Sequence, residues 1–149
     1  MTGSLDARQM EDALRNAGCR ITRQRRAIIG YLACRDDHPS ARQVYGALHH
    51  RESGLSRATV YNTLHRLVET GLLTEIEFEA GDNRFDTNLR PHVNLICVEC
   101  GAIADFEHEL PVTAAHVERR LGFLATDFRV EYRGVCARCR SQSAGRRGI

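Results

Sequence analysis

Four of the six cysteines form two C-x-x-C pairs, Cys97 with Cys100 in "CVEC" and Cys136 with Cys139 in "CARC", with 35 residues between the pairs. Each pair can bring two sulfurs to one metal ion from a tight turn, and four thiolates complete a closed tetrahedral zinc site. A C-x-x-C also serves redox chemistry, but a thioredoxin-like use needs one pair at a strand–helix junction, whereas both pairs here fall beside expected strand ends. A disulfide switch between the pairs is the second reading of the same sulfurs. Cys19 and Cys34 stand alone and read as buried packing residues.

A second set offers nitrogen and oxygen. His38 precedes Pro39, Asp86 ends the motif "NRFD", His92 and Asn94 are two apart and so share one strand face, and Asp105 lies in "IADF". Imidazole, carboxylate and amide donors suit Fe²⁺ or Mn²⁺ better than a thiolate set does. Two histidines and one of the two aspartates would also make the facial triad of a non-haem iron oxygenase, which is the enzyme reading of this set.

The elements that must position these residues begin with helices. Thr22 caps "RQRRAIIGYL", where Ile28, Ile29 and Leu32 recur at helical spacing. Ser40 and Gln43 make a capping box before Val44, Ala47 and Leu48. Ser56 opens a third helix with Val60, Leu64, Leu67 and Val68 on one face, and Gly71 closes it. Its opposite face carries Arg57, Thr59, Tyr61, Asn62, His65 and Arg66, side chains that reach phosphates and base edges. Glu75, Glu77 and Glu79 then alternate with Ile76 and Phe78, "AGDN" turns, and "RFD" returns. Helices followed by a hairpin describe a winged helix-turn-helix, with the third helix as reader and the three glutamates turned away from DNA.

The second half reads as a small α/β unit: a strand over Val93–Val98, a short strand in "AIADFEH", a helix in "VTAAHVERRLG" and a strand with Phe128, Val130 and Tyr132 alternating. Some 60 residues give a marginal core, so this unit needs a staple or a partner subunit. The fold class is therefore α+β, with a winged-helix DNA-binding domain over residues 1–88 and a zinc-stapled α/β dimerisation domain over 89–149.

Charge supports the division. All 21 basic residues are Arg; residues 8–66 hold 11 Arg against 5 acids, while residues 67–88 hold 1 Arg against 6 acids. A basic first block suits a phosphate-rich partner. No apolar run reaches the length of a membrane span, and the N-terminus is amphipathic without a signal-peptide core, so a cytoplasmic, thiol-reducing setting without membrane association is expected.

Taken together, "GCRITRQRRAIIGYL", "HPSARQVYGAL", "SRATVYNTLHRLVETGLL", "NRFD", "HVNLICVECGAIADF" and "CARC" resemble the ferric uptake regulator family over nearly the whole chain. The resemblance implies a dimeric winged-helix repressor, not an enzyme, that binds double-stranded operator DNA when loaded with a divalent metal. It implies structural Zn²⁺ on Cys97, Cys100, Cys136 and Cys139, and regulatory Fe²⁺ or Mn²⁺ on His38, Asp86, His92 and Asp105. Zinc-responsive members carry a Cys near the Asp86 position; iron-responsive members carry Glu there and a His-rich run where this chain has "RPHVN". The aspartates of "NRFD" and "IADF" look most like the peroxide-sensing (PerR) branch, so hydrogen peroxide is the expected signal. That branch carries His-x-His where this chain has His92-Val93-Asn94, leaving Asn94 as an amide-oxygen ligand. The alternative within the family is an iron- or manganese-responsive uptake regulator without peroxide sensing.

Overall fold

A computed structural model describes residues 6–78, 81–110 and 112–145. Glu79 and Ala80, expected in the hairpin and its turn, lie outside the described residues. The chain divides into two compact units, residues 1–90 and 91–149.

The first unit contains α1 (Ala7–Asn16), α2 (Arg23–Ala33), α3 (Ala41–Leu48), α4 (Arg57–Glu69) and an antiparallel hairpin of β1 (Thr74–Ile76) and β2 (Arg84–Asp86). The N-caps form as their sequences require. Thr22 accepts from the Arg25 N–H, Ser56 from that of Thr59, and Ser40 with Gln43 completes a reciprocal capping box. A second box joins Asp6 and Gln9 at α1. Helix α4 ends in a Schellman motif: Gly71 is left-handed (φ 73°), its N–H reaching Val68 and that of Leu72 reaching the Leu67 carbonyl at 2.8 Å. The apolar stripes meet in one core in which Met10, Leu14, Ile28, Ile29, Leu32, Val44, Val60, Leu64 and Leu67 are inaccessible to solvent or nearly so. This is a winged helix-turn-helix.

Strand β1 stops at Ile76, short of the alternation expected as far as Glu79. The Asn83 side chain explains it. Its Oδ1 accepts the Phe78 N–H (3.3 Å) and its Nδ2 donates to Glu75 (2.8 Å), so a side chain takes the place of the next ladder bond.

The second unit is a three-stranded sheet in the order β4–β3–β5, from β3 (Val93–Cys97), β4 (Ile103–Phe106) and β5 (Glu131–Gly134), with α5 (Ala114–Leu121) and α6 (Ala137–Gly145). Strand β3 pairs antiparallel to β4 and parallel to β5. The last strand begins at Glu131, later than the Phe128–Tyr132 alternation predicts, and α6 was not expected. No residue of α5 is buried. Leu121, Phe123, Leu124 and Tyr132 are each more than 60% exposed, so this unit closes no core of its own on the scale of the first.

Candidate functional site

The four paired cysteines converge. Cys97 ends β3, and Cys100 lies in the turn that follows, closed by the Gly101 N–H on the Cys97 carbonyl (2.9 Å) with Gly101 left-handed. The parallel register sets Cys97 opposite Gly134, which delivers Cys136 and, on α6, Cys139. The sulfurs of Cys97 and Cys139 are 4.0 Å apart, those of Cys100 and Cys136 are 3.9 Å apart, and all four lie within 4.8 Å of one another. Four sulfurs about 2.3 Å from a tetrahedral zinc stand roughly 3.8 Å apart, whereas a disulfide needs about 2.0 Å. The spacing is that of a metal site, and all four cysteines are free.

The electrostatics agree. The Cys136 N–H donates to Cys97 Sγ (3.3 Å), and backbone donors hold the Cys97 thiol down at about 6. Cys100 is lowered by the Ala102 N–H and further by the Arg138 guanidinium. Cys139, hydrogen-bonded to the Cys136 sulfur and desolvated, is pushed up to about 12. Four thiols so close resist ionising together; a dication supplies the charge that lets all four do so.

His38 lies between α2 and α3 with φ +52°, a left-handed conformation that is rare for a residue with a side chain and rarer before proline. The segment is stitched to β2. The Phe85 N–H donates to the Pro39 carbonyl (3.0 Å), Ser40 bridges Arg84, and the Arg84 guanidinium donates to the carbonyls of His38 and Asp37. Two residues along the same strand face, Asp86 comes within 3.5 Å of His38 Nε2, both side chains being almost wholly buried. The Asn88 N–H on Asp86 Oδ1 (2.7 Å) and the Thr87 hydroxyl on the Arg35 carbonyl (3.2 Å) fix this end of the strand.

In the second unit, Asp105 stands opposite Asn94 in the β3–β4 register, and His92 precedes Asn94 by two. His92 Nε2 lies 3.7 Å from Asp105 Oδ1. Asn94 Oδ1 is buried with no hydrogen-bond partner among the described residues. Two donors about 2.1 Å from one ion stand roughly 3.0–3.4 Å apart. Each unit thus holds one imidazole–carboxylate pair near the spacing of two ligands on one ion.

On α4, Arg57, Tyr61 and Asn62 are exposed, while the Thr59 hydroxyl meets that of Ser56 at 2.9 Å. Arg66 and His65 differ from the other expected contacts in being tied to Glu69, Arg66 at 2.8 Å, which lowers the Glu69 carboxyl, and His65 at 3.2 Å. Sequence reasoning missed Arg84 and Asn83, whose partners lie in another element or across the turn. It placed Cys34 in the interior; Cys34 is exposed at the end of α2, and only Cys19 of the two is buried. Among the described residues no helix is long and apolar enough to cross a membrane.

Residues 16–133 match the ferric uptake regulator family model. A peroxide-responsive repressor, PerR, of Staphylococcus epidermidis is 38% identical over 134 residues, covering 87% of each chain. The solved structure of PerR from Streptococcus pyogenes, described in terms of peroxide sensing and gene regulation, is 34% identical with a TM-score of 0.52, covering 91% of this chain and 95% of that one. A zinc-bound manganese uptake regulator is 30% identical with a TM-score of 0.62, covering 85% and 98%.

Proposed function

The chain belongs to the ferric uptake regulator family, and from that premise we propose that it is a metal-dependent, DNA-binding repressor that releases its operator when hydrogen peroxide oxidises its regulatory metal site. Zn²⁺ on Cys97, Cys100, Cys136 and Cys139 is structural. The sulfur spacing fits it, and a four-thiolate site has no open position for chemistry. Fe²⁺ or Mn²⁺ is held by His38 and Asp86 from the first domain and by His92 and Asp105 from the second, with the Asn94 amide oxygen as a further donor.

The observation that supports this most is the pair of imidazole–carboxylate contacts, one in each unit: His38 with Asp86, both buried, and His92 with Asp105, where the carboxylate is open to solvent. An ion that draws donors from both domains favours the arrangement that brings those donors together, so metal binding shifts the population toward the DNA-competent form. The protein pre-sets its share: Arg84 and the Pro39–Phe85 bond hold the His38 backbone, and the strand register sets His92, Asn94 and Asp105 on one face.

Bound Fe²⁺ supplies a reductant for peroxide beside its own ligands. The oxidisable groups there are the His38 and His92 imidazoles, set close to the carboxylates by the contacts above. Net transfer of one oxygen from peroxide to an imidazole ring carbon, with one water released, converts a good donor into a poor one. The domains are then no longer held in register, and DNA leaves.

The DNA reading rests on α4, whose exposed Arg57, Tyr61 and Asn62, with Thr59, face outward from a buried Val60–Leu64–Leu67 stripe. Arg66 joins them once freed from Glu69. The homodimer reading rests on the exposed apolar residues of the second unit, including Leu121, Phe123 and Leu124, which a second copy would cover. Two reading helices then meet a pseudo-palindromic site.

Peptide mass spectrometry of Fe²⁺-loaded and Mn²⁺-loaded protein after mild peroxide tests the proposal. One added oxygen on the His38 or His92 peptide of the iron form alone, with loss of DNA binding, is expected. Oxidised Cys97 or Cys136 beside intact histidines means thiol sensing instead. Unmodified protein that stays on DNA leaves the manganese- or iron-responsive reading, which the similarity to a manganese uptake regulator and the amide at Asn94 favour.

A further inference from the structure

At the entrance to α4 a row of flat side chains is built on α3. The Arg57 guanidinium lies over the Tyr45 ring, with 5.4 Å from Cζ to centroid. Tyr45 stacks on His49 with centroids 4.9 Å apart and planes 13° apart, and His49 meets the His50 ring at 3.6 Å. His49 is itself fixed: its Nδ1 sits 3.0 and 3.1 Å from the carbonyls of Tyr45 and Gly46, two acceptors that require Nδ1 to be the donor. Tyr45 is half-buried against the helical core.

Arg57 is held differently from its neighbours. Arg23 pairs with Glu52, Arg42 with Asp82 and Arg66 with Glu69. Among the described residues no carboxylate pairs with Arg57. A carboxylate would consume the guanidinium's in-plane N–H donors and cancel its charge. An aromatic face attracts the guanidinium without accepting from its N–H groups, so its donors and its charge stay available.

We propose that Tyr45 is a positioning residue for Arg57: its ring, braced by His49, orients the guanidinium for in-plane contact with a phosphate or a guanine edge while leaving its donors and charge to the nucleic acid. This rests on the reading of α4 as the DNA-contacting helix. Neither Tyr45 nor His49 need touch DNA for it to hold.

The test is a double-mutant cycle on the full chain loaded with Zn²⁺ and Mn²⁺. The probe is a duplex that the unmodified protein selects from a random library, and binding is read by fluorescence anisotropy. Arg57→Ala weakens binding. Tyr45→Leu weakens it roughly two- to fivefold per half-site, and about the square of that on a two-half-site duplex, with no further loss in the Arg57→Ala background. Tyr45→Phe, which keeps the ring, binds as the unmodified protein does. On the free protein, NMR finds the Arg57 Hε resonance moved upfield by the ring, retained in Tyr45→Phe and lost in Tyr45→Leu. Tyr45→Met repeats the cycle if the Leu variant does not fold. Additive losses, an unshifted Hε, or a Tyr45→Phe variant as weak as Tyr45→Leu (a hydroxyl contact with DNA) each overturn the proposal while leaving α4 as reader. Unchanged affinity in Arg57→Ala overturns the proposal, and unchanged affinity in Tyr61→Ala as well removes α4 as reader.

Discussion

Replacing Arg84 with Met keeps the aliphatic stem and removes the guanidinium that donates to the carbonyls of His38 and Asp37. Hydrogen bonds from a charged donor contribute about 1.5–3 kcal/mol each when buried. Here one acceptor belongs to buried His38, and the other, at 3.3 Å, belongs to a solvent-exposed stretch. About 2 kcal/mol is therefore at stake. Against it stands the left-handed His38 backbone, strained by about 1–2 kcal/mol, which relaxes toward the extended region once the guanidinium is gone even though the Pro39–Phe85 bond still holds the residue that follows. The net loss of fold stability is then only about 1 kcal/mol or less. On the proposed ligand set the consequence moves to metal binding, because the left-handed turn must be re-imposed for His38 to reach the ion. Restoring about 1–2 kcal/mol of strain weakens Mn²⁺ binding roughly 5- to 30-fold. The assay is Mn²⁺ titration of zinc-loaded Arg84→Met, with urea unfolding run beside it. Mn²⁺ affinity equal to that of the unmodified protein, or a stability loss of several kcal/mol with no separate metal effect, would refute the reasoning.

Three further outcomes follow from the same structure. Cys139→Ser removes a buried sulfur and leaves three ligands; zinc is lost and the second unit unfolds, seen as metal release to a chelating dye together with collapse of its NMR amide dispersion, while α1–α4 stay folded. Leu64→Ala, at a fully buried site between α4 and the other helices, costs about 2–5 kcal/mol in urea unfolding without altering zinc content. The Arg35 hydrogen bond holds the Asp37 carboxyl below its ordinary value, so the pair stabilises the fold above the unfolded carboxylate pKa and the contribution is lost as pH falls through the folded one. With both side chains well exposed, Asp37→Asn costs less than about 1 kcal/mol at neutral pH, and the gap closes in acid, as thermal melts across pH will show.

What was legible in the sequence was local. Ser40 with Gln43, Ser56 and Gly71 announce helix ends because a cap is satisfied within a few residues, and the Val60–Leu64–Leu67 stripe announces its buried face because helical period is a local property. The cysteine pairs are local twice over, and only their meeting is not. What was illegible depended on distant partners. Nothing near His38 says that its backbone is left-handed, since Arg84, which holds it, lies 46 residues away. Asn83 shortens β1 by acting as a ladder rung, a role its place in an "AGDN" turn does not suggest. The late start of β5 reflects where β3 offers partners, not where Phe128 and Val130 alternate. Arg66 has the composition of a DNA contact and the surroundings of a helix-end ion pair.

The parallel pairing of β3 with β5 has a consequence for how the chain finds its fold. Parallel strands cannot be joined by a tight turn, and Cys97 and Cys139 are 42 positions apart. Closing a loop of that size costs about 3 kcal/mol of chain entropy before any sheet bond forms, and such non-local pairings are slow to nucleate. A C-x-x-C pair, by contrast, can take up zinc while the rest of the unit is still unfolded. The second pair then searches for a bound ion instead of a strand edge, and ligation closes the loop that the β3–β5 register needs. Zinc thereby sets the order of assembly as well as the final stability: in refolding, the second unit should form faster as free zinc rises, while the helical unit, built on nearer contacts, folds at a rate indifferent to the metal.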